Sequence, residues 1–129
     1  MSERTVNIED TLVALVESKK YSVLREVMLT INPADIAAVF RNIENEKLPV
    51  LFRLLPKEHA AEAFVEMDVD DQEILIKGFS DYELKEVLDE LYIDDTVDLV
   101  EEMPANVVNR ILRSTDSSTR KMINELLKY

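Results

Sequence analysis

The chain has 129 residues, of which 47% are hydrophobic and 33% are charged, a composition typical of one folded domain with its own core. Its formal net charge of −12 repels phosphates, which excludes nucleic acid as an expected partner. The only glycine is Gly78, and this scarcity argues against glycine-rich nucleotide-binding loops and favours an all-α fold. Without cysteine, the chain can form neither disulfides nor thiolate metal sites.

Membrane insertion and secretion are not expected either. The longest apolar run covers residues 36–40, whereas a membrane-spanning helix needs roughly 20 apolar residues. The first residues lack the basic and apolar regions of a secretory signal, which favours a cytoplasmic location.

In chain order, an apolar helix pattern at i, i+3, i+4 and i+7 starts at Leu12 and recurs every twelve residues. Its second position is apolar in all ten copies: Leu15, Val27, Val39, Leu51, Ala63, Leu75, Val87, Leu99, Ile111 and Ile123. Its other positions carry a few polar exceptions, mainly toward the C-terminus: Lys19, Gln72, Thr96, Thr115, Arg120 and Asn124. The pattern predicts a helical repeat along the whole chain.

Residues that start helices fall in another column of the repeat: Asn32, Pro56, Asp68, Ser80, Pro104 and Asp116. Asn, Asp and Ser can accept a hydrogen bond from a free amide of the first turn. Ser80 and Glu83 have the spacing of a capping box, and Pro33 suits a first helical position. Together these signals predict ten helices, at residues 8–18, 21–31, 33–43, 46–55, 57–67, 69–79, 81–91, 93–103, 105–114 and 117–128, with residues 1–7 loose.

Helices of about three turns are marginal in isolation and must bury their apolar stripes against neighbours. Two twelve-residue units form one antiparallel helix pair, so the structural unit is 24 residues long. We therefore predict an all-α solenoid, a tightly coiled superhelix of about ten short helices, in a single domain spanning residues 1–129.

The acidic residues are concentrated between Asp81 and Glu102, where ten acidic side chains face one basic residue, Lys85, giving −9 of the total charge of −12. On the helix predicted at 93–103, Asp94 and Asp98 have i, i+4 spacing and project from the outer face. A hard divalent cation, magnesium or calcium, would relieve their repulsion. A simple solvated face, with first-turn acids complementing the helix dipole, explains the same pattern.

No enzyme is predicted from the remaining residues. His59 is the only histidine, and without companions it is expected to be a solvated helix residue. Serine and threonine are not arranged with a base into a triad, and no EF-hand loop occurs.

Four segments occur in a specific order: 32–37 (NPADIA), 51–57 (LFRLLPK), 60–64 (AAEAF) and 94–104 (DDTVDLVEEMP). This series resembles the cytosolic N domain of MgtE-type magnesium transporters, from about Val23 to Tyr129. The resemblance implies a right-handed superhelix that, in the full-length transporter, precedes a CBS domain pair, a connecting helix and a membrane pore domain. We therefore expect the CBS and transmembrane domains to lie outside this chain.

The resemblance also implies a regulatory function. In the family, Mg²⁺ held between acidic residues of the N domain and the CBS domains locks a closed state, and loss of Mg²⁺ favours pore opening. Carried over by motif, the metal ligands are Glu62, Asp94 and Asp98. A further contact would lie beyond Tyr129, so the isolated domain should bind Mg²⁺ weakly.

The expected partners are therefore the CBS pair and the pore domain of the same full-length transporter, a homodimer, at the cytoplasmic face of the cell membrane. The alternative is a protein-interaction solenoid of the flagellar motor switch scaffold type, which would need no metal.

Overall fold

The computed structural model describes the backbone of residues 3–127 and the side chains of residues 8–127. Within that part, the chain forms ten α-helices and no strand, which confirms the all-α prediction. The helices are α1 (Glu3–Glu17), α2 (Tyr21–Leu29), α3 (Pro33–Phe40), α4 (Leu48–Arg53), α5 (Lys57–Glu66), α6 (Val69–Gly78), α7 (Asp81–Glu90), α8 (Ile93–Glu102), α9 (Ala105–Ser114) and α10 (Ser117–Leu126).

The helix bounds differ from prediction chiefly at the start of the chain. Helix α1 begins at Glu3, so the segment 1–7, expected to be loose, is helical from its third residue; residues 1 and 2 lie outside the described part. Helices α2 to α8 end one to three residues earlier than predicted. No helix in the described part is both long and apolar enough to cross a membrane.

Most helices from α3 onward pack on the next helix but one, whereas α2 packs on α1. The odd-numbered helices form one row, in which α1, α3, α5, α7 and α9 contact each other in that order, and the even-numbered helices pair as α4 with α6 and α8 with α10. Equivalent helices are therefore two twelve-residue units apart, as the predicted 24-residue repeat requires.

The apolar columns of the repeat form the core between the rows. Phe52 lies at its centre, with ring centroids 6.1 Å from Phe64 and 5.4 Å from Phe79. Three polar exceptions in the columns are also buried, namely Gln72, Thr96 and Thr115. Each donates a hydrogen bond to a backbone carbonyl, of Phe64, Tyr92 and Leu112 respectively. These three polar groups tolerate burial because each finds a local acceptor, whereas the other polar exceptions, Lys19, Arg120 and Asn124, are exposed.

The predicted helix starts are confirmed as N-caps. The side chains of Asn32, Asp68, Ser80 and Asp116 each accept a hydrogen bond from the backbone N–H three residues later. Ser80 and Glu83 form the complete capping box.

Helix ends are held from neighbouring helices by basic side chains. Arg25 Nε donates to Leu54 O at 3.0 Å, and Arg53 Nη2 donates to Gly78 O at 3.2 Å. His59, predicted to be a solvated helix residue, is instead half-buried, with Nε2 3.1 Å from Ile31 O. The last carbonyls of a helix carry its negative dipole end, so these contacts tie successive repeats together.

Candidate functional site

The acidic stretch from Asp81 to Glu102 divides into two parts with different environments. On α7, four carboxylates form ion pairs: Asp81 with Arg110 (3.1 Å), Glu83 with Arg53 (2.6 Å), Glu86 with Lys57 (3.6 Å) and Asp89 with Lys85 (3.0 Å). Three of these bases come from other helices. Much of the negative charge on α7 is therefore compensated and serves to join helices.

The carboxylates of α8 have no such partners. Among the described residues, none of the five acids of α8 forms an ion pair: Asp94, Asp95, Asp98, Glu101 and Glu102. The same holds for Glu58, Glu62 and Glu66, which follow each other at i, i+4 spacing on α5. The uncompensated charge of the region thus lies on α5, on α8 and on Glu90 at the end of α7.

These two helices border a groove made of two adjoining cavities. The first, about 350 Å³, lies between the α5–α6 turn and α8 and is lined by Asp68, Asp95, Asp98 and Glu102 above apolar residues. The second, about 540 Å³, is lined by the carboxylates Glu58, Glu62, Glu66, Glu90 and Asp95, with Tyr92 beside them. Both cavities share Val65, Leu91 and Asp95. We call the combined feature the acidic groove; no Lys, Arg or His residue lines it.

The structure places the three predicted ligands on or beside this groove. Glu62 lines the second cavity and Asp98 lines the first. Asp94 is exposed on α8, one turn before Asp98, and lines neither cavity. All three side chains are free of ion pairs in the described part of the chain.

Asp95 is the groove residue that the motif analysis missed as a ligand candidate. It lines both cavities and is half-buried. Its position in the repeat could have identified it, because Asp95 directly precedes the first apolar position of its copy. Most of the equivalent residues are also half-buried or buried, for example Asp35, His59, Asp71 and Glu83. This column lies at the border between core and solvent, where a polar side chain can face a groove and still be held by packing.

The donor set of the groove consists of carboxylate oxygens, which suit a hard cation such as Mg²⁺. Within the described residues, no three His, Cys, Asp or Glu side chains converge closely enough to hold a metal ion by themselves. Mg²⁺ commonly retains several waters and uses only one or two protein carboxylates at a site. The groove therefore fits part of a coordination sphere, with room for ligands from another surface.

Comparison with known protein families gives a match over most of the chain. Residues 31–129 match the family model of the MgtE intracellular N domain. The chain belongs to this family. The match includes the whole acidic groove, from Asn32 on the α3 side to Glu102 at the end of α8.

Two solved structures share the fold of this MgtE N domain. The cytosolic domain of the Mg²⁺ channel MgtE, crystallised with ATP, has a TM-score of 0.79 at 30% identity, over 94% of this chain and 50% of that one. The soluble part of a magnesium transporter has a TM-score of 0.81 at 18% identity, over 97% of this chain and 50% of that one. The chain thus spans about half the length of each. Comparison with curated proteins gave no match.

Proposed function

We propose that the chain is the regulatory cytosolic domain of a magnesium transporter and that it senses Mg²⁺ through the acidic groove. Glu62, Asp94 and Asp98 supply carboxylate ligands on this side, and a CBS domain pair of the same full-length protein supplies the rest. In this proposal the domain works at the cytoplasmic face of the membrane, in a homodimeric transporter, and has no enzymatic activity of its own.

One observation carries the proposal: the acids of α8 and of the α5 face lack ion-pair partners within the described residues, while four acids of the adjacent α7 are paired. Like charges at helical neighbour spacing destabilise a helix. Bases that reach α7 from α4, α5 and α9 relieve this repulsion there, whereas no base lines the groove. The unrelieved charge supports a cation site on this surface.

The regulation follows from electrostatics. Two acidic surfaces repel at close range, and a divalent cation between them converts repulsion into attraction. Binding of Mg²⁺ therefore favours the docked arrangement of the N and CBS domains, because only that arrangement completes the coordination sphere. When Mg²⁺ dissociates, the repulsion returns, the domains separate and the pore opens.

The direct test is calorimetric titration of Mg²⁺ into this chain joined to the CBS pair of its transporter. The Asp94→Ala/Asp98→Ala variant should lose most of the binding, because two ligands are removed from one helix. A matched control is Glu17→Ala/Glu26→Ala, which removes the same charge from exposed residues outside the groove. Equal Mg²⁺ binding by the groove variant and the control would contradict the ligand assignment.

The N domain and the CBS pair, prepared as separate proteins, test the alternative of a metal-independent interaction solenoid. Association of the separate N and CBS domains is measured with Mg²⁺ and with a chelator present. The proposal expects association only with Mg²⁺, and equal association in both conditions would favour the alternative.

A further inference from the structure

Asp71, in the first turn of α6, is a buried acid that the proposed function does not use. Its residue surface is only 8% exposed. Its Oδ2 atom is fully buried and has no hydrogen-bond partner. Buried polar atoms without partners are rare, since each costs free energy. The protonation state of Asp71 is therefore important for this turn.

Asp71 interacts with a second carboxyl group, that of Asp68, the N-cap residue of the same helix. Asp68 Oδ1 accepts a hydrogen bond from the backbone N–H of Asp71 at 3.0 Å, and Asp68 Oδ2 lies 3.3 Å from Arg41 Nε at the end of α3. Both oxygens of Asp68 are thus engaged, and the charge of Arg41 is directed to Asp68. Asp70 adds a third carboxylate to the turn.

The basic group that acts on Asp71 is Arg41, but its guanidinium is paired with Asp68. Helices α4 and α9 contact α6, and their arginines Arg53 and Arg110 bind carbonyls and acids at its C-terminal end. An ionised Asp71 would therefore be a buried charge beside another carboxylate, which is unfavourable.

We propose that the first turn of α6 is a proton-operated latch: protonated Asp71 donates a hydrogen bond to Asp68 and tightens the turn, whereas ionised Asp71 loosens it. The proton comes from solvent and returns to it. The latch needs no metal and goes beyond the proposed sensor function. The turn that it holds, including Asp68 and Val69, lines the first cavity of the acidic groove.

The electrostatics of the turn agree with this proposal. Burial, chiefly, together with the negative charge of Asp68, the hydrogen bond to Asp68 and the charge of Asp70, raises the pKa of Asp71 to about 6, although Arg41 opposes the change. A carboxyl group whose pKa is higher in the folded than in the unfolded state stabilises the fold below that pKa. Stability should therefore fall as the pH rises from about 4 to about 6, and then level off.

The first experiment follows the Asp71 carboxyl carbon by NMR while the pH is varied in the unmodified chain. The latch requires a titration midpoint near 6. A midpoint near 4, the value of an ordinary Asp, would overturn the proposal, and this measurement needs no variant that must fold.

The second experiment measures unfolding by urea from pH 4 to pH 8 in the unmodified chain, Asp71→Asn and Asp70→Asn. Asp70 is the matched control, since it is an exposed acid of the same turn. The ratio of unfolding constants between the unmodified chain and Asp71→Asn should rise by up to about a hundredfold across this range. The Asp70→Asn ratio should stay nearly constant. Parallel curves for the unmodified chain and Asp71→Asn would refute the latch.

Discussion

At several helix ends, arginine side chains donate hydrogen bonds to the last carbonyl groups, which in many proteins are satisfied through a C-terminal glycine. Helices often end with a glycine in the left-handed region, which lets the last carbonyls find backbone donors. Here the sole residue with positive φ in the described part is Lys19, and Gly78 does not adopt that conformation. The carbonyls near the C-terminus of α6 are instead bound by the guanidinium groups of Arg53 and Arg110.

Replacing Arg110 by alanine should therefore destabilise the fold by about 2 kcal/mol, since donors to Ile76 O and Phe79 O and the partner of Asp81 are lost together. The measurement is urea unfolding. Arg113→Ala is the matched control, because Arg113 is exposed and donates only to Asn109 of its own helix. Equal effects of the two substitutions would show that the carbonyl contacts contribute nothing.

Glu83 should give the opposite pH dependence to Asp71. Hydrogen bonding to Arg53, chiefly, lowers the pKa of Glu83 to about 2 despite its partial burial. A lowered pKa adds stability above the unfolded value, near 4.5, which is lost as the pH falls toward 2. Glu83→Gln should cost about 1 kcal/mol at pH 7 and much less near pH 2. Glu90→Gln, on the same helix but unpaired, should change little, and a pH-independent cost at Glu83 would contradict this account.

At the scale of helices, the contact between α6 and α4 explains why Gly78 is a glycine. Its φ is not positive, so no backbone strain requires glycine. A Cβ atom at this position would instead lie 3.1 Å from Cγ of Pro49, the second residue of α4. The constraint is a close approach between two helices.

Gly78→Ala should consequently be neutral or destabilising in the unmodified chain, because the contact with Pro49 offsets the better helix propensity of alanine. In a Pro49→Ala background the same substitution should stabilise by about 0.5–1 kcal/mol. A double-mutant cycle by thermal unfolding measures the difference. The same effect of Gly78→Ala in both backgrounds would show that Pro49 is not the constraint.

The twelve-residue pattern was sufficient to predict all ten helices and most N-caps, because short helices must bury one stripe each and many of them start at a capping residue or a proline. The pattern did not predict features that depend on contacts between residues far apart in the sequence. The half-burial of His59 depends on the end of α2, 28 residues away, and the burial of Asp71 depends on helices packed from elsewhere. The motif analysis likewise named Glu62 and Asp98, and the structure places both on one groove. That Asp95 lines this groove could not be predicted, because it depends on how α8 lies beside α5. Their metal binding stays a prediction.

At the scale of the whole molecule, the net charge of −12 is unevenly compensated, and this has a consequence for stability. Asp98 and Glu102 stand at i, i+4 on α8, line the same cavity and have no basic partner in the described part. Their repulsion is a cost of keeping the groove acidic.

Asp98→Asn/Glu102→Gln should therefore raise the free energy of unfolding by about 0.5 kcal/mol at low salt, and the gain should vanish in about 1 M NaCl, where screening acts within ~3 Å. Thermal unfolding at several salt concentrations is the measurement, and Glu17→Gln/Glu26→Gln is the control of equal charge. A gain that persists in high salt would show that repulsion is not its origin.

At the corner between α6 and α7, arginines from both rows of helices meet, Arg53 from α4 and Arg110 from α9. Contacts of this kind tie α4, α6, α7 and α9 together at one corner. We therefore expect this corner to deform less than the rest of the stack when the helices move relative to one another.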